Sequence, residues 1–206
     1  MIVTNIITLQ KKKVLIELDE HLVLPIYSSE VRKYDIILGK ELSNVAQVEL
    51  LGEIIPKRAK LRAMHLLTKR SYTEHALRTK LLEGKYPDEL VEEAIAYVKS
   101  YGYIDDIQYI RDYISTYSET KSKMKIQMDL YKKGISKGLF DDVWTENSEI
   151  DSEDYELQQI KRWIEKKKFS YEEASPKERQ SMINYLFRKG YSLEKIRCCI
   201  QIEDIF

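Results

Sequence analysis

Three stretches of this chain repeat one another, and that repeat limits the possible folds more than any other feature. Leu77, Leu81, Tyr86, Pro87, Val91, Ala94 and Ile95 align with Ile126, Leu130, Ile135, Ser136, Phe140, Val143 and Trp144, and again with Met182, Leu186, Tyr191, Ser192, Ile196, Cys199 and Ile200. Spacings inside the copies are identical, and the copies lie 49 and 56 residues apart. Apolar residues three and four apart mark one face of a helix, so each copy reads as helix, turn, helix. The turns agree. Lys133-Gly134-Ile135-Ser136 and Lys189-Gly190-Tyr191-Ser192 place Gly where a helix ends in a left-handed residue and Ser where the next helix is capped. In the first copy, Gly84-Lys85-Tyr86-Pro87 shifts Gly by one and sets Pro at or next to the first helical position. The Tyr or Ile between Gly and the cap is expected to be buried in each copy.

One more amphipathic helix precedes each pair, over 57–69, 105–117 and 154–168, so the unit is three helices. Ser71-Tyr72-Thr73-Glu74 and Ser175-Pro176-Lys177-Glu178 read as capping boxes for the second helices of units one and three. Seven Gly and four Pro in 206 residues are too few for the turns of a sandwich or barrel. The first 55 residues differ. Residues 2–9 and 14–24 read as two or three short antiparallel strands ended by Pro25, followed by a short helix over 28–34, a turn at 38–43 and a helix near 44–51, with Pro56 marking the boundary. The expected fold is mainly α: three tandem three-helix repeats in an elongated arc, with a small N-terminal β-containing extension. The segments are 1–55, 56–103, 104–149 and 150–206.

Catalysis finds no support. His21, His65 and His75 lie in different elements, no Gly-x-Ser-x-Gly setting exists, and Gly39-Lys40 and Gly84-Lys85 are not followed by the hydroxyl residue of a P-loop. Cys198 and Cys199 are adjacent, which suits neither a structural disulfide nor a four-ligand zinc site, and they read as packing. Asp105-Asp106 after Gly102-Tyr103-Ile104 reads as a helix start, an Asp capping it and both favouring its positive end, rather than a metal pair. No cofactor or metal is expected. No run approaches 18 apolar residues and the N-terminus lacks a signal-peptide pattern, so a cytoplasmic protein with no membrane contact is expected.

The 34 basic and 34 acidic residues cancel, so a polyanionic partner must be held by local charge. Local charge is present. Lys57, Arg58, Lys60, Arg62, Lys69 and Arg70 carry no acid among them; Lys121, Lys123, Lys125, Lys132, Lys133 and Lys137 bracket only Asp129; Lys161, Arg162, Lys166, Lys167 and Lys168 include only Glu165. A single charged helix face is ordinarily just solvated. Three of them, one per repeat, suit a phosphate backbone or an acidic protein surface, without any base-reading code.

Lys69-Arg70-Ser71 with Glu74 and Arg78-Thr79-Lys80-Leu81, then Gly102-Tyr103-Ile104-Asp105-Asp106, Lys133-Gly134-Ile135-Ser136 and Arg188-Lys189-Gly190-Tyr191-Ser192 occur in the order seen in the RecX family, the bacterial regulators of RecA recombinase. The resemblance covers essentially the whole chain, and the first 55 residues are similar to the strand-containing extension of Gram-positive members. It implies a non-enzymatic negative regulator that binds the RecA–DNA filament and lowers its ATPase and strand exchange, with DNA itself a second partner through backbone contacts. Carried over by position, the partner-binding residues it implies are Arg70, Arg78, Lys80, Lys121, Lys123, Lys125, Lys132 and Lys133, on a monomer. Arg78 and Lys80 have a plainer reading as surface ion pairs. Many relatives have Lys-Gly-Pro where this chain has Lys121-Ser122-Lys123, which should leave that helix start less constrained, and Gly84-Lys85 inverts the usual Lys-Gly. The competing class is a stand-alone, sequence-independent DNA-binding protein of helix-turn-helix-like repeats. The acidic starts of the third helices, such as Asp88-Glu89, disfavour it.

Overall fold

The computed structural model describes residues 1–10, 12–146 and 153–200. The boundary expected between the second and third repeats, at 147–152, and the chain's end at 201–206 lie outside them. The chain forms two compact units, Met1–Asp105 and Asp106–Phe206. It is mainly helical with a small N-terminal sheet, as expected.

The first unit opens with a three-stranded antiparallel meander, β1 (Val3–Thr8), β2 (Lys13–Leu18) and β3 (Leu22–Tyr27), in the order β1-β2-β3. Pairing of Val14 with Ile26, Ile16 with Leu24 and Leu18 with Leu22 gathers every second side chain onto one face, and all six are at least partly buried. Pro25 does not end β3. It pairs with Leu15 inside the strand, and its carbonyl accepts from Arg58 Nη1 at 3.0 Å. N–H and C=O of one strand residue point the same way, so Pro25 turns its missing donor away from β2, as an edge strand permits.

Helices α1 (Ser28–Lys33) and α2 (Asn44–Glu49, capped by Ser43) follow. Pro56 does not interrupt the helix either. A π-helical turn, Leu50–Ile54, joins α2 directly to α3 (Ile55–Leu67), and Pro56 lies in the first turn of α3. Proline removes one helical hydrogen bond and crowds the carbonyl four residues back, and a π turn just before it widens the backbone where that crowding falls. Leu50 and Ile55 join the core beneath the sheet. One turn on, the fully buried Ala59 and Ala63 belong to the core of α3, α4 (Glu74–Glu83) and α5 (Asp88–Ser100), so one continuous helical run serves both cores.

The second unit holds α6 (Asp106–Tyr117), α7 (Lys123–Tyr131) and α8 (Lys137–Thr145), then α9 (Glu153–Lys166), α10 (Pro176–Arg188) and α11 (Leu193–Ile200). The aligned positions form the cores. Leu77, Ile126 and Met182 are buried, as are Leu81, Leu130 and Leu186, and Val91, Phe140 and Ile196. Between Gly and the cap, Ile135 and Tyr191 are buried but Tyr86 is only half-buried, because it packs against both the sheet core and the first-repeat core.

Turn geometry refines the sequence reading. Gly134 and Gly190 have φ of +86° and +94°. In the first copy the left-handed residue is Lys85 at +63°, aligned with those two glycines, while Gly84 stays right-handed at −73°. Gly84 is needed for space instead, since a Cβ there would lie 3.0 Å from the Tyr86 ring and from the Leu81 carbonyl. Ser136 and Ser192 cap their helices, and Ser175 with Glu178 forms the expected box. The box at Ser71 is not formed. Thr73 caps α4, accepting from Ala76 N at 3.1 Å, because Tyr72 turns into the core and delays the helix start.

Ser122 restrains rather than loosens the start of α7. It is 1% exposed, its Oγ accepts from Lys125 N at 3.2 Å, and the same oxygen donates to the Lys189 carbonyl at 3.2 Å. A Cβ on Gly190 would collide with that Oγ and come within 3.0 Å of Lys125 Cβ. Gly190→Ala therefore combines left-handed strain with overpacking and should destabilise the chain by about 3 kcal/mol. Gly102 has φ +69° with open space around it, so Gly102→Ala should cost only about 1 kcal/mol. Urea denaturation of the two variants should show this difference, and equal midpoints would refute the account of the joint.

Candidate partner-binding site

In the first unit the expected contact residues are mostly occupied. Arg78 Nε meets Glu92 at 2.6 Å and its Nη2 meets Glu74 at 2.9 Å, while Lys99 takes the other Glu74 oxygen at 2.7 Å. The hydrogen bond from Lys99, then that from Arg78, holds the Glu74 carboxyl below its ordinary value, and Arg78 does the same to Glu92. This network ties α4 to α5. Lys80 pairs with Glu83 at 2.6 Å. Arg70 is exposed, its guanidinium 4.5 Å above the Tyr72 ring. The basic run is also partly spent on structure: Arg58 holds Glu30 at 2.5 Å and Lys60 approaches Glu93 at 3.5 Å.

In the second unit, α6 presents Tyr109, Tyr113 and Tyr117 one turn apart, with ring centroids 6.4 and 4.4 Å apart. Lys121 lies 3.9 Å over Tyr117, bonds Tyr113 Oη at 3.1 Å and pairs with Asp129 at 2.9 Å. Burial alone would lower the Lys121 amine, but the bonds to Asp129 and Tyr113 outweigh it and raise it; burial would likewise raise Asp129, which Lys121 and Lys125 instead hold low. Lys125 shares Asp129 at 3.6 Å. Lys123 sits 5.3 Å over Trp144 while its backbone N–H donates to Glu156, which also binds Lys195 at 2.7 Å. Lys133 lies 5.8 Å from Tyr109, and Lys132 is exposed. Lys121, Lys123 and Lys125 thus gather at the start of α7, Lys132 and Lys133 at its end.

The charge runs did not reveal the outer face of α7. Met124, Met128 and Tyr131 are 51%, 48% and 72% exposed and follow one helical stripe. Their spacing was visible in the sequence, but only an observed helix face separates a surface stripe from a core one. Tyr191 is a core residue: its hydroxyl donates to Gln159 at 3.0 Å, and burial pushes it up to about 12. Cys199 is half-buried, with its thiol against the Leu157 carbonyl at 3.6 Å and raised by burial. Among the described residues no three His, Cys, Asp or Glu gather as a metal site, and no helix is long and apolar enough to cross a membrane.

The three-helix repeats match known ones. The profile for the first three-helix domain of RecX matches residues 59–97 and that for the third matches 153–200. The regulatory protein RecX of Clostridium perfringens is 30% identical over 173 residues, covering 80% of this chain and 77% of the relative. This chain belongs to the RecX family. The regulatory protein RecX of Caldanaerobacter subterraneus is 28% identical over 169 residues, 80% of each chain. A solved crystal structure of a regulatory protein RecX is similar in fold, with TM-score 0.61, 22% identity and 98% coverage of each chain. As relatives of this RecX-family chain these proteins bear the name of regulators rather than of enzymes.

The network around Arg78 predicts a structural role. Arg78→Ala should cost about 1 kcal/mol at neutral pH. Carboxylates held low contribute above their ordinary value of 4.5 and lose that contribution as pH falls through the depressed one, so the deficit should shrink below about pH 4. Exposed Lys132→Glu should leave stability unchanged. Thermal melts of both variants from pH 7 to 3 test this, and a pH-independent Arg78→Ala deficit would remove the ion-pair explanation.

Proposed function

We propose that this protein is a negative regulator of RecA recombinase that binds the RecA–DNA filament and lowers its ATPase and strand exchange, modulating recombinational repair. It acts as a monomer in the cytoplasm, through segments 1–55, 56–103, 104–149 and 150–206. Membership of the RecX family supports a regulatory role, and the outer face of α7 supports a protein as the partner.

That stripe carries the reading. Met124, Met128 and Tyr131 are flanked on one side of α7 by Lys125 and Lys132 and on the other by Lys123. An apolar centre inside a charged rim is the anatomy of a protein interface, and it fits an apolar patch bordered by acidic residues. A phosphate backbone gains little from two methionines. The aligned positions are His75, Thr79 and Leu82 in the first repeat and Gln180, Asn184 and Phe187 in the third, so the full apolar stripe belongs to the middle repeat alone. Lys132, free of ion pairs among the described residues, supplies long-range attraction that salt weakens.

ATP hydrolysis by RecA on single-stranded DNA, measured as this protein is titrated in, tests the proposal. Inhibition is expected below one molecule per RecA protomer. The triple change Met124→Ser, Met128→Ser and Tyr131→Ser should raise the inhibitory concentration at least about tenfold without altering the melt, since all three side chains are exposed. Absence of inhibition by the wild-type chain at any concentration would overturn the proposal.

A further inference from the structure

A cleft of about 550 Å³ opens where the N-terminal sheet meets the first repeat, inside the first unit. Its walls come from the edge strand β3, one face of α3 and the end of α4. We propose that this cleft binds a small organic phosphate, a phosphate monoester dianion carrying an apolar body. The ligand is a free small molecule, and its binding does not depend on RecA.

One helix face builds much of the wall. Leu61, Arg62 and His65 stand three, four and seven residues after Arg58 along α3, so the four turn to the same side. Arg58 is spent on structure: it holds Glu30 at 2.5 Å and the Pro25 carbonyl at 3.0 Å, with its guanidinium 4.6 Å from the Tyr27 ring centre. That ring face is thereby covered, so recognition here does not rest on aromatic stacking. At the end of α4, Lys80 is matched by Glu83 at 2.6 Å.

Two cations are left over. Lys13, opposite Tyr27 in the sheet, and Arg62 both line the cleft and are exposed, and neither side chain makes an ion pair or hydrogen bond among the described residues. Lys13, Arg58, Arg62 and Lys80 against Glu30 and Glu83 leave a net charge of two, which one phosphate monoester dianion balances. The two carboxylates repel the successive phosphates of a strand, so a single phosphate suits the cleft better than a nucleic acid does.

A neutral donor completes the set. Burial pushes the Tyr86 phenol above its ordinary value, with Arg58 and Arg62 drawing it the other way, so it keeps its proton at neutral pH. Its hydroxyl has no hydrogen-bond partner among the described residues, yet it is not sealed in the core. A half-buried hydroxyl near two guanidinium groups, with nothing of the protein to bond, takes a phosphate oxygen as its acceptor. The apolar body has a seat of its own, because Leu61 is 55% exposed and lines the same cleft as Pro25. The volume is that of a small-molecule site and exceeds what a bare phosphate fills.

The experiment is a chemical-shift titration of the isotope-labelled full chain with phenyl phosphate, inorganic phosphate and phenol in parallel. Phenyl phosphate should bind with a dissociation constant of about 1 mM or tighter and move the resonances of β3 and α3; inorganic phosphate should bind more weakly, and phenol not at all. Arg62→Gln, at an exposed residue without a partner, should weaken phenyl phosphate at least about tenfold. Tyr86→Phe keeps the ring against Gly84 and removes only the hydroxyl, and it should weaken binding about tenfold. Leu61→Ser should weaken phenyl phosphate and leave inorganic phosphate unchanged, which a merely basic surface would not do. An oligothymidine with a terminal phosphate carries the same monoester on a strand, and it should compete no better than phenyl phosphate at equal concentration of ends. No shifts with phenyl phosphate, unchanged binding in Arg62→Gln, or stronger competition by the oligothymidine would each overturn the site. Failure of RecA inhibition with phenyl phosphate binding intact would instead overturn the regulatory proposal and leave this one standing.

Discussion

A residue of positive φ between the second and third helices of each repeat sets the course of everything after it. At Lys85, Gly134 and Gly190 the chain leaves a helix in the left-handed region, and the next apolar residue, Tyr86, Ile135 or Tyr191, is delivered toward the core. The cap residue then starts the returning helix. Because the turn is short, a change of hand there would redirect the third helix and strip the core of Val91, Phe140 or Ile196. In the third repeat the turn has a second duty, since Gly190 is also the surface against which Ser122 of the preceding repeat packs. One glycine thus closes a repeat and joins it to its neighbour.

The same economy governs charge. Basic runs counted along the sequence overstate the field that a partner meets, because folding spends part of each run on internal contacts. Arg58 is drawn to Glu30 and the Pro25 carbonyl, where it fastens the sheet to α3; Arg78 is divided between Glu74 and Glu92, where it fastens α4 to α5. What remains for a ligand is the remainder after such pairing. In the second unit, among the described residues, that remainder includes Lys132, Arg188 and Lys189, whose ammonium rests over the Trp163 and Tyr185 rings. A cation–π contact holds an ammonium in place without neutralising it, so such lysines keep their full charge for an anion.

Much of the fold was legible because local rules agreed with one another. The repeat period, the Gly-x-Ser turns and the apolar spacing all placed the same helices, and the strands showed through stretches rich in Ile, Val, Leu and Thr between polar turns. The failures have local physical causes. Pro25 and Pro56 were read as stops, yet an edge strand and a π turn each accommodate a missing N–H. Ser71 looked like a cap until Tyr72 took a place in the core and passed that role to Thr73. The site was less legible. Sequence separates Lys125 from Arg188 by more than sixty residues, and nothing in spacing alone announces that two repeats share a wall.

The departure at Lys121-Ser122-Lys123 shows how a substitution can be structural and functional at once. With Lys-Gly-Pro in its place, proline at 123 would fix the backbone at the start of α7, but glycine at 122 could neither accept from Lys125 N nor donate to Lys189 O. Serine supplies both bonds from one oxygen, so the cap of one repeat becomes the clasp on the next. The cations on either side of that clasp, Lys121 and Lys125 before it and Arg188 and Lys189 behind it, are brought together by the bond that orders the backbone. Capping chemistry thus contributes to their convergence, and a chain that loses the serine hydroxyl loses the cap and one of the bonds that hold α7 to the end of α10.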